Sequence, residues 1–249
     1  MKPSTIRYLN LIGFAVVIVM NTLANALPIN GYTTGELSAL YPNRFVPAGF
    51  TFSIWGVIYL ALLGFVIFQF TEKGKALANA IGIWFLLSCL ANAAWILAWH
   101  YRFPVLSLII MLLLLFTLVQ IYRRIQPFDW GKHWAGRLPF QLYIAWITVA
   151  TVANTTAVLI DAGWSGGPLA EITWAAIMAG VAALAGWLFL RFYKDLPYAL
   201  VILWALFGIY SRQVEGNTLS QPLEAVILIG GGLIAITLLW TILKPSKAR

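Results

Sequence analysis

Charge is what this sequence has least of. Only 10% of its 249 residues are Asp, Glu, Lys or Arg, where a soluble domain carries roughly a quarter. A chain so poor in charge cannot clothe a water-facing surface, which excludes a soluble globular enzyme. The 61% hydrophobic content and mean hydropathy of +0.86 likewise exclude a disordered chain. There is one cysteine, Cys89, inside an apolar run; it excludes an internal disulfide and paired-cysteine metal spacing, and reads as a packing residue. The two histidines, His100 and His133, stand at loop edges without a ligand pair and read as solvated. No His-Glu-x-x-His helix, nucleophile elbow or phosphate-cradling loop is present. Asp161, Glu171, Glu215 and Glu224 flank apolar runs and read as solvated loop charges. With no ionisable residue near the middle of any run, a proton relay at membrane depth is disfavoured. No catalytic residue, metal or cofactor is expected, and the protein is not expected to be an enzyme.

What is present is long apolar runs. A helix needs about 20 mostly apolar residues to cross the hydrocarbon core, and on that measure the chain holds eight candidate spans. They run over Ile6–Leu27, Phe50–Phe70, Leu77–Trp99, Phe103–Tyr122, Leu138–Ile160, Ile172–Leu190, Leu196–Ser211 and Leu223–Leu243, the seventh being the weakest. The fold class expected is therefore all-α, a polytopic helical bundle. The net charge of +8 does not indicate nucleic acid, because no basic stretch is interleaved with aromatics along one face. The cations lie in short loops instead. Eight crossings put 13 of the 16 basic residues on the side of the termini and leave only Arg44, Arg102 and Arg212 opposite. Positive-inside bias then places both termini in the cytoplasm. Lys2 and Arg7 precede a run ending Ala24-Asn25-Ala26, the outline of a cleavable signal, but its length and the interrupting Asn21 and Asn25 favour a retained first helix.

The polar residues at membrane depth are mainly amides: Asn21, Asn92, Gln141 and Asn154. Amides hydrogen-bond ligands or neighbouring helices and carry no proton at neutral pH. Among the 12 tryptophans, Trp99, Trp130, Trp134, Trp164 and Trp240 fall near span ends, while Trp55, Trp95, Trp146 and Trp204 fall inside spans. The end group suits interfacial anchoring. The inner group offers flat apolar faces whose indole N–H groups need partners. Core packing accounts for any one of them; together they suit a flat apolar ligand with a few polar groups.

Three segments resemble a known family. Phe50-Thr51-Phe52-Ser53-Ile54-Trp55 with Tyr59 is similar to the second helix of the translocator-protein (TspO/MBR) family, also called tryptophan-rich sensory proteins or peripheral benzodiazepine receptors. In that family Pro stands at the place of Ser53. Asn92-Ala93-Ala94-Trp95 resembles its Asn-x-x-Trp, and Trp146, Ala150 and Asn154 resemble its Trp-x-x-x-Ala-x-x-x-Asn. Four-residue steps place those last three on one helix face. The long loop from Pro28 to Gly49 resembles the loop that covers the family's pocket. The resemblance spans about residues 6–160, and residues 161–249 fall outside it. The expected organisation is a five-helix, translocator-like domain over 1–162 and an added three-helix segment over 163–249.

The resemblance implies a membrane receptor or binding protein for a flat hydrophobic ligand, a porphyrin or sterol-like molecule, in an aromatic-lined cavity. Its lining would be Phe50, Phe52, Trp55, Tyr59, Asn92, Trp95, Trp146, Ala150 and Asn154. The alternatives left open are an uncoupled transporter of a small amphipathic solute and, less favoured, an intramembrane enzyme acting on a lipid or tetrapyrrole. The partners implied are that ligand and membrane lipid, in the cytoplasmic membrane of a bacterium. Ala175, Ala179 and Ala183, with Gly230-Gly231-Gly232, let helices approach closely. The family's tendency to dimerise makes the alanine face a candidate homodimer contact. Val119-Gln120-Ile121-Tyr122-Arg123-Arg124 fits a loose sterol formula, although a basic interface anchor explains it better.

Overall fold

The computed structural model describes residues 3–27, 29–128, 134–164 and 171–243. Lys2, Pro28, Trp130, Lys132, His133, Pro168, Lys244, Lys247 and Arg249 lie outside them. Ten α-helices and three short 3-10 turns make up the described residues, with no strand among them. The helices are α1 (Pro3–Ala26), α2 (Thr34–Ala39), α3 (Ile54–Phe68), α4 (Glu72–Ile81), α5 (Trp84–His100), α6 (Pro104–Ile125), α7 (Leu138–Asp161), α8 (Glu171–Tyr193), α9 (Leu196–Glu215) and α10 (Gln221–Leu243). This is a polytopic helical membrane protein.

Six helical stretches among the described residues are long and apolar enough to cross a membrane, and a seventh span results if α4 and α5 are taken together. Eight spans were expected, and the difference has two sources. The expected third span, Leu77–Trp99, is broken. Gly82 takes φ +62° and ψ −136°, a conformation essentially reserved for glycine, and α4 and α5 meet there at 66°. That leaves α5 with 17 residues, the lower end of what spans a bilayer. Helix α9 has 20 residues, but its last turn holds Arg212, Gln213 and Glu215, and it is not among the six.

The chain forms two compact units, Met1–Tyr41 with Phe52–Asp161 and Pro42–Thr51 with Ala162–Arg249. Residues 42–51, inside the first expected domain, thus belong with the C-terminal helices. In the first unit the long helices follow one another round a ring, α1 against α3, α3 against α7, α7 against α6, α6 against α5, and α5 back against α1. Lipid is as apolar as leucine, so close packing and interhelical hydrogen bonds hold such a ring. One end is filled by Phe65, Phe85 and Phe140, all buried, their ring centroids 4.9–6.0 Å apart and edge to face. Each such pair contributes about 0.5–1.5 kcal/mol beyond area burial. Polar links tie the rest. Asn10 Nδ2 donates to Gln69 Oε1 (3.1 Å), and Ser107 Oγ on α6 donates to Asn154 Oδ1 on α7 (3.0 Å). Cys89 is buried beside Gly13 of α1, as a packing residue is.

In the second unit α8, α9 and α10 pack pairwise. The small residues work here: Ala175, Ala179 and Ala183 are buried inside the unit, and Gly230 approaches Ala183 so closely that a methyl group would collide with it. The alanine face is therefore already covered by the protein's own helices and is not open to a second copy. Residues 42–51 are held along α9. Ala48 N–H donates to the Gly208 carbonyl (2.9 Å), Trp204 Nε1 donates to the Thr51 carbonyl (2.9 Å), and Gln213 Nε2 donates to the Arg44 carbonyl (3.0 Å).

Candidate ligand cleft

The first unit carries a cleft of about 290 Å³, lined by Ile18, Asn21, Thr22, Asn25, Thr34, Gly35, Phe52, Trp55 and Tyr59. Three elements build it. Helix α1 turns Ile18, Asn21, Thr22 and Asn25 to one side, a spacing of three and four residues that keeps them on one face. Phe52, in the 3-10 turn before α3, and Trp55 and Tyr59, in the first turns of α3, do the same. Helix α2 supplies Thr34 and Gly35.

Behind the lining stands an aromatic cluster centred on Trp55. Its ring stacks on Tyr59 (5.4 Å, 20°) and meets Trp95 (6.5 Å), Tyr143 (6.0 Å) and, nearly perpendicular, Trp146 (6.2 Å, 82°). Phe52 also meets Trp146 edge to face at 6.1 Å, and Trp95 stacks on Trp99 (6.2 Å, 16°). Rings from α3, α5 and α7 thus converge. The hydroxyl of Tyr59 and the indole nitrogens of Trp95 and Trp146 are buried without a hydrogen-bond partner. Buried indole N–H groups ordinarily find one; these polar atoms of one cluster lack one among the described residues.

The amide of Asn92 is largely used within the protein. Its Oδ1 accepts from Asn21 Nδ2 (2.8 Å) and its Nδ2 donates to the Tyr143 hydroxyl (2.9 Å), linking α1, α5 and α7. Asn21 gives its second N–H to the Val17 carbonyl (2.9 Å). Of the sequence-derived lining, then, Phe52, Trp55, Tyr59, Trp95 and Trp146 come together and Asn92 braces them. Phe50 is elsewhere: it belongs to the second unit, exposed and packed on Trp204 (5.4 Å) and Phe207 (5.8 Å). Asn154 is bonded to Ser107, and Ala150, one turn beyond Trp146, is half-buried.

Sequence reasoning missed Tyr143, Asn25, Thr34 and Gly35. Asn25 carried a signal, since it stands four residues after Asn21 on the same face. The α2 pair carried little, because a six-residue helix inside a loop has no periodicity to find. Its own signal is a capping box. The Glu36 carboxylate accepts from the Thr33 backbone N–H (2.7 Å), while Thr33 Oγ1 accepts from the Glu36 N–H (3.3 Å). Those Thr33 contacts hold the Glu36 carboxyl below its usual range.

The loop carrying α2 is fastened to the end of α5 by His100, which is fully buried and not a solvated loop residue. Its Nδ1 bonds the Ile29 carbonyl (3.1 Å) and its Nε2 bonds Thr34 Oγ1 (3.1 Å). A carbonyl only accepts, so Nδ1 carries the proton and Nε2 accepts from the threonine hydroxyl. Asn30 Nδ2 adds a bond to the His100 carbonyl (3.0 Å), and Tyr41 tilts onto Trp99 (5.4 Å). The folded-back loop removes His100 from water, which its position next to a span end did not foretell.

A ring of membrane helices around an aromatic cluster, with a cleft beside it partly walled by the first loop, defines the class: a polytopic helical membrane protein with an aromatic core. The family model for TSPO-like protein matches residues 7–243, and the chain belongs to that family. The match runs through α8–α10, past the 6–160 stretch that carries the resemblance, so the C-terminal helices are part of what the family model describes. Curated proteins and solved structures yield no match.

Proposed function

We propose that the protein is an integral membrane binding protein of the tryptophan-rich sensory type that takes a flat hydrophobic ligand bearing hydrogen-bond acceptors into the cleft of its first unit. The observation that carries this reading is a 290 Å³ cleft walled by Phe52, Trp55 and Tyr59, with Trp95 and Trp146 packed on Trp55 behind it and the buried Tyr59 hydroxyl lacking a partner among the described residues. Stacking on Trp55 and Tyr59 would hold the plane, and the Tyr59 hydroxyl with the Asn21 and Asn25 side chains of the lining would meet polar groups at its edge. The volume lies at the lower edge of the roughly 300–1,000 Å³ usual for drug-sized ligands. It suits a molecule of a few fused rings, or one edge of a larger plane such as a porphyrin. The setting proposed is a bacterial cytoplasmic membrane.

Quenching of tryptophan fluorescence by protoporphyrin IX in detergent tests this. Saturable quenching is expected in the native protein. Gly35 lines the cleft and has open space where a Cβ would stand, so Gly35→Leu adds bulk at the cleft wall with no clash at its Cβ. Its affinity should fall at least tenfold with unchanged thermal unfolding. Unsaturable quenching, or equal affinity in Gly35→Leu, overturns the reading.

A further inference from the structure

A second concavity lies on the same unit, away from the cleft. It is a groove of about 270 Å³ between α5 and α6, lined by Trp84, Leu87, Ala91 and Ala94 on one side and by Ile110 and Leu113 on the other. On α5 the spacing of three and four residues makes one stripe, in which two alanines form a dip between bulkier neighbours. From Trp84 to Ala94 the stripe rises about 15 Å at 1.5 Å per residue. That is half of the ~30 Å hydrocarbon core, the depth of a single leaflet. Leu87, Leu90 and Leu113 are exposed along it.

The groove ends at a cation. The Arg124 guanidinium lies 5.2 Å over the Trp84 ring, steadied by its Nη1 donating to Gln120 Oε1 (3.2 Å). Among the described residues no carboxylate pairs with Arg124 or its neighbour Arg123, whereas Arg44 pairs with Glu171 and Lys75 with Glu72. Both arginines stand in the last turn of α6, Arg123 exposed and Arg124 half-buried. Tyr122, the ring that a sterol formula would present, is buried, while Arg123 is exposed and Arg124 half-buried.

We propose that this groove binds an anionic phospholipid, its phosphate at Arg124 and Arg123 and one acyl chain along Ala91 and Ala94. A guanidinium fork matches phosphate geometry bidentately, and Trp84 sits where the headgroup meets the chain. Charge separates this occupant from a second copy of the protein. A chain with 16 basic and eight acidic residues offers the arginines a surface that repels them on balance, where an anionic headgroup attracts them.

The test uses the full chain in detergent, with native mass spectrometry and thermal unfolding read against phosphatidylglycerol, phosphatidylcholine and inorganic phosphate. Phosphatidylglycerol should be retained at one molecule per chain and should raise Tm several degrees more than phosphatidylcholine does, with phosphate alone giving no shift. Arg123→Gln/Arg124→Gln should abolish the preference between the lipids. Ala94 is exposed, so Ala94→Trp fills the groove without entering the core; it should abolish retention with both arginines present. Equal shifts from the two lipids, the same shift from phosphate alone, retention unchanged by Ala94→Trp, or a dimer lost in Ala94→Trp each overturn the proposal. The saturation point of porphyrin quenching is expected to be unaffected in Arg123→Gln/Arg124→Gln, which leaves the tryptophan content unchanged, so this site and the cleft fail or stand separately.

Discussion

Asn92 shows what single residues do here. Three helices meet at its side chain through the Asn21 amide and the Tyr143 hydroxyl, and Asn92→Leu leaves both without that partner. Interhelical hydrogen bonds in membranes average about 0.6 kcal/mol and reach about 1.7. A loss of about 1 kcal/mol is therefore expected, seen as a Tm a few degrees lower in detergent; an unchanged Tm contradicts the bracing role. Glu36 gives a pH signature. Its carboxyl titrates below its ordinary value because Thr33 bonds the ionised form, so the contribution to α2 is complete above the unfolded pKa and is lost as pH falls through the folded one. Amide protection of residues 34–39 should drop in that acid range in the native protein and stay flat in Glu36→Gln. Equal pH dependence in both would exclude the capping box as its source. At this scale the indoles were legible because Trp55, Trp95 and Trp146 recur at recognisable spacings. His100 was not, because its burial depends on a loop folding back from 66 positions earlier.

At the scale of elements, the run boundaries of α1, α6, α7, α8 and α10 follow from length and apolarity alone, and these helices stand close to where the sequence puts them. The break between α4 and α5 does not, since apolar residues continue across Gly82 and only its backbone angles mark the bend. Gly82→Ala forces a Cβ into a conformation costing on the order of 1–3 kcal/mol. It should destabilise the protein more than Gly56→Ala, at a helical site with open space around it; equal effects contradict the strain account. Helix α9 offers a parallel case. Gly208 lies so close to Thr51 that a side chain there would overlap the threonine, and its carbonyl receives the Ala48 N–H. Gly208→Ala should raise hydrogen exchange at residues 44–51, the stretch that precedes Phe52. Unchanged exchange there would mean that α9 does not hold the segment.

At the scale of the molecule, the all-helical membrane architecture was legible from composition, and the assignment of residues 42–51 to the C-terminal unit was not, because no local pattern reports which helix a loop will follow. The charge bias sets a testable topology. Cys89 is buried, so single cysteines elsewhere report sidedness. Substitutions at Lys75 and Lys194 should label from one side of the membrane and those at Arg102 and Arg212 from the other. Arg212 labelling with Lys194 would mean that α9 does not cross.

A ligand in the cleft would lie against Trp55, on which the buried rings of Trp95 and Trp146 pack. Nitrogen-15 NMR of the tryptophan indoles in nanodiscs, titrated with protoporphyrin IX and assigned by Trp→Phe substitution, reads them directly. The Trp95 and Trp146 resonances should move saturably as the ligand settles on Trp55, with those of the exposed Trp134 and Trp240 unmoved. If the exposed pair shifts and Trp95 and Trp146 stay where they are, the ligand is on the surface and the cleft is not its site.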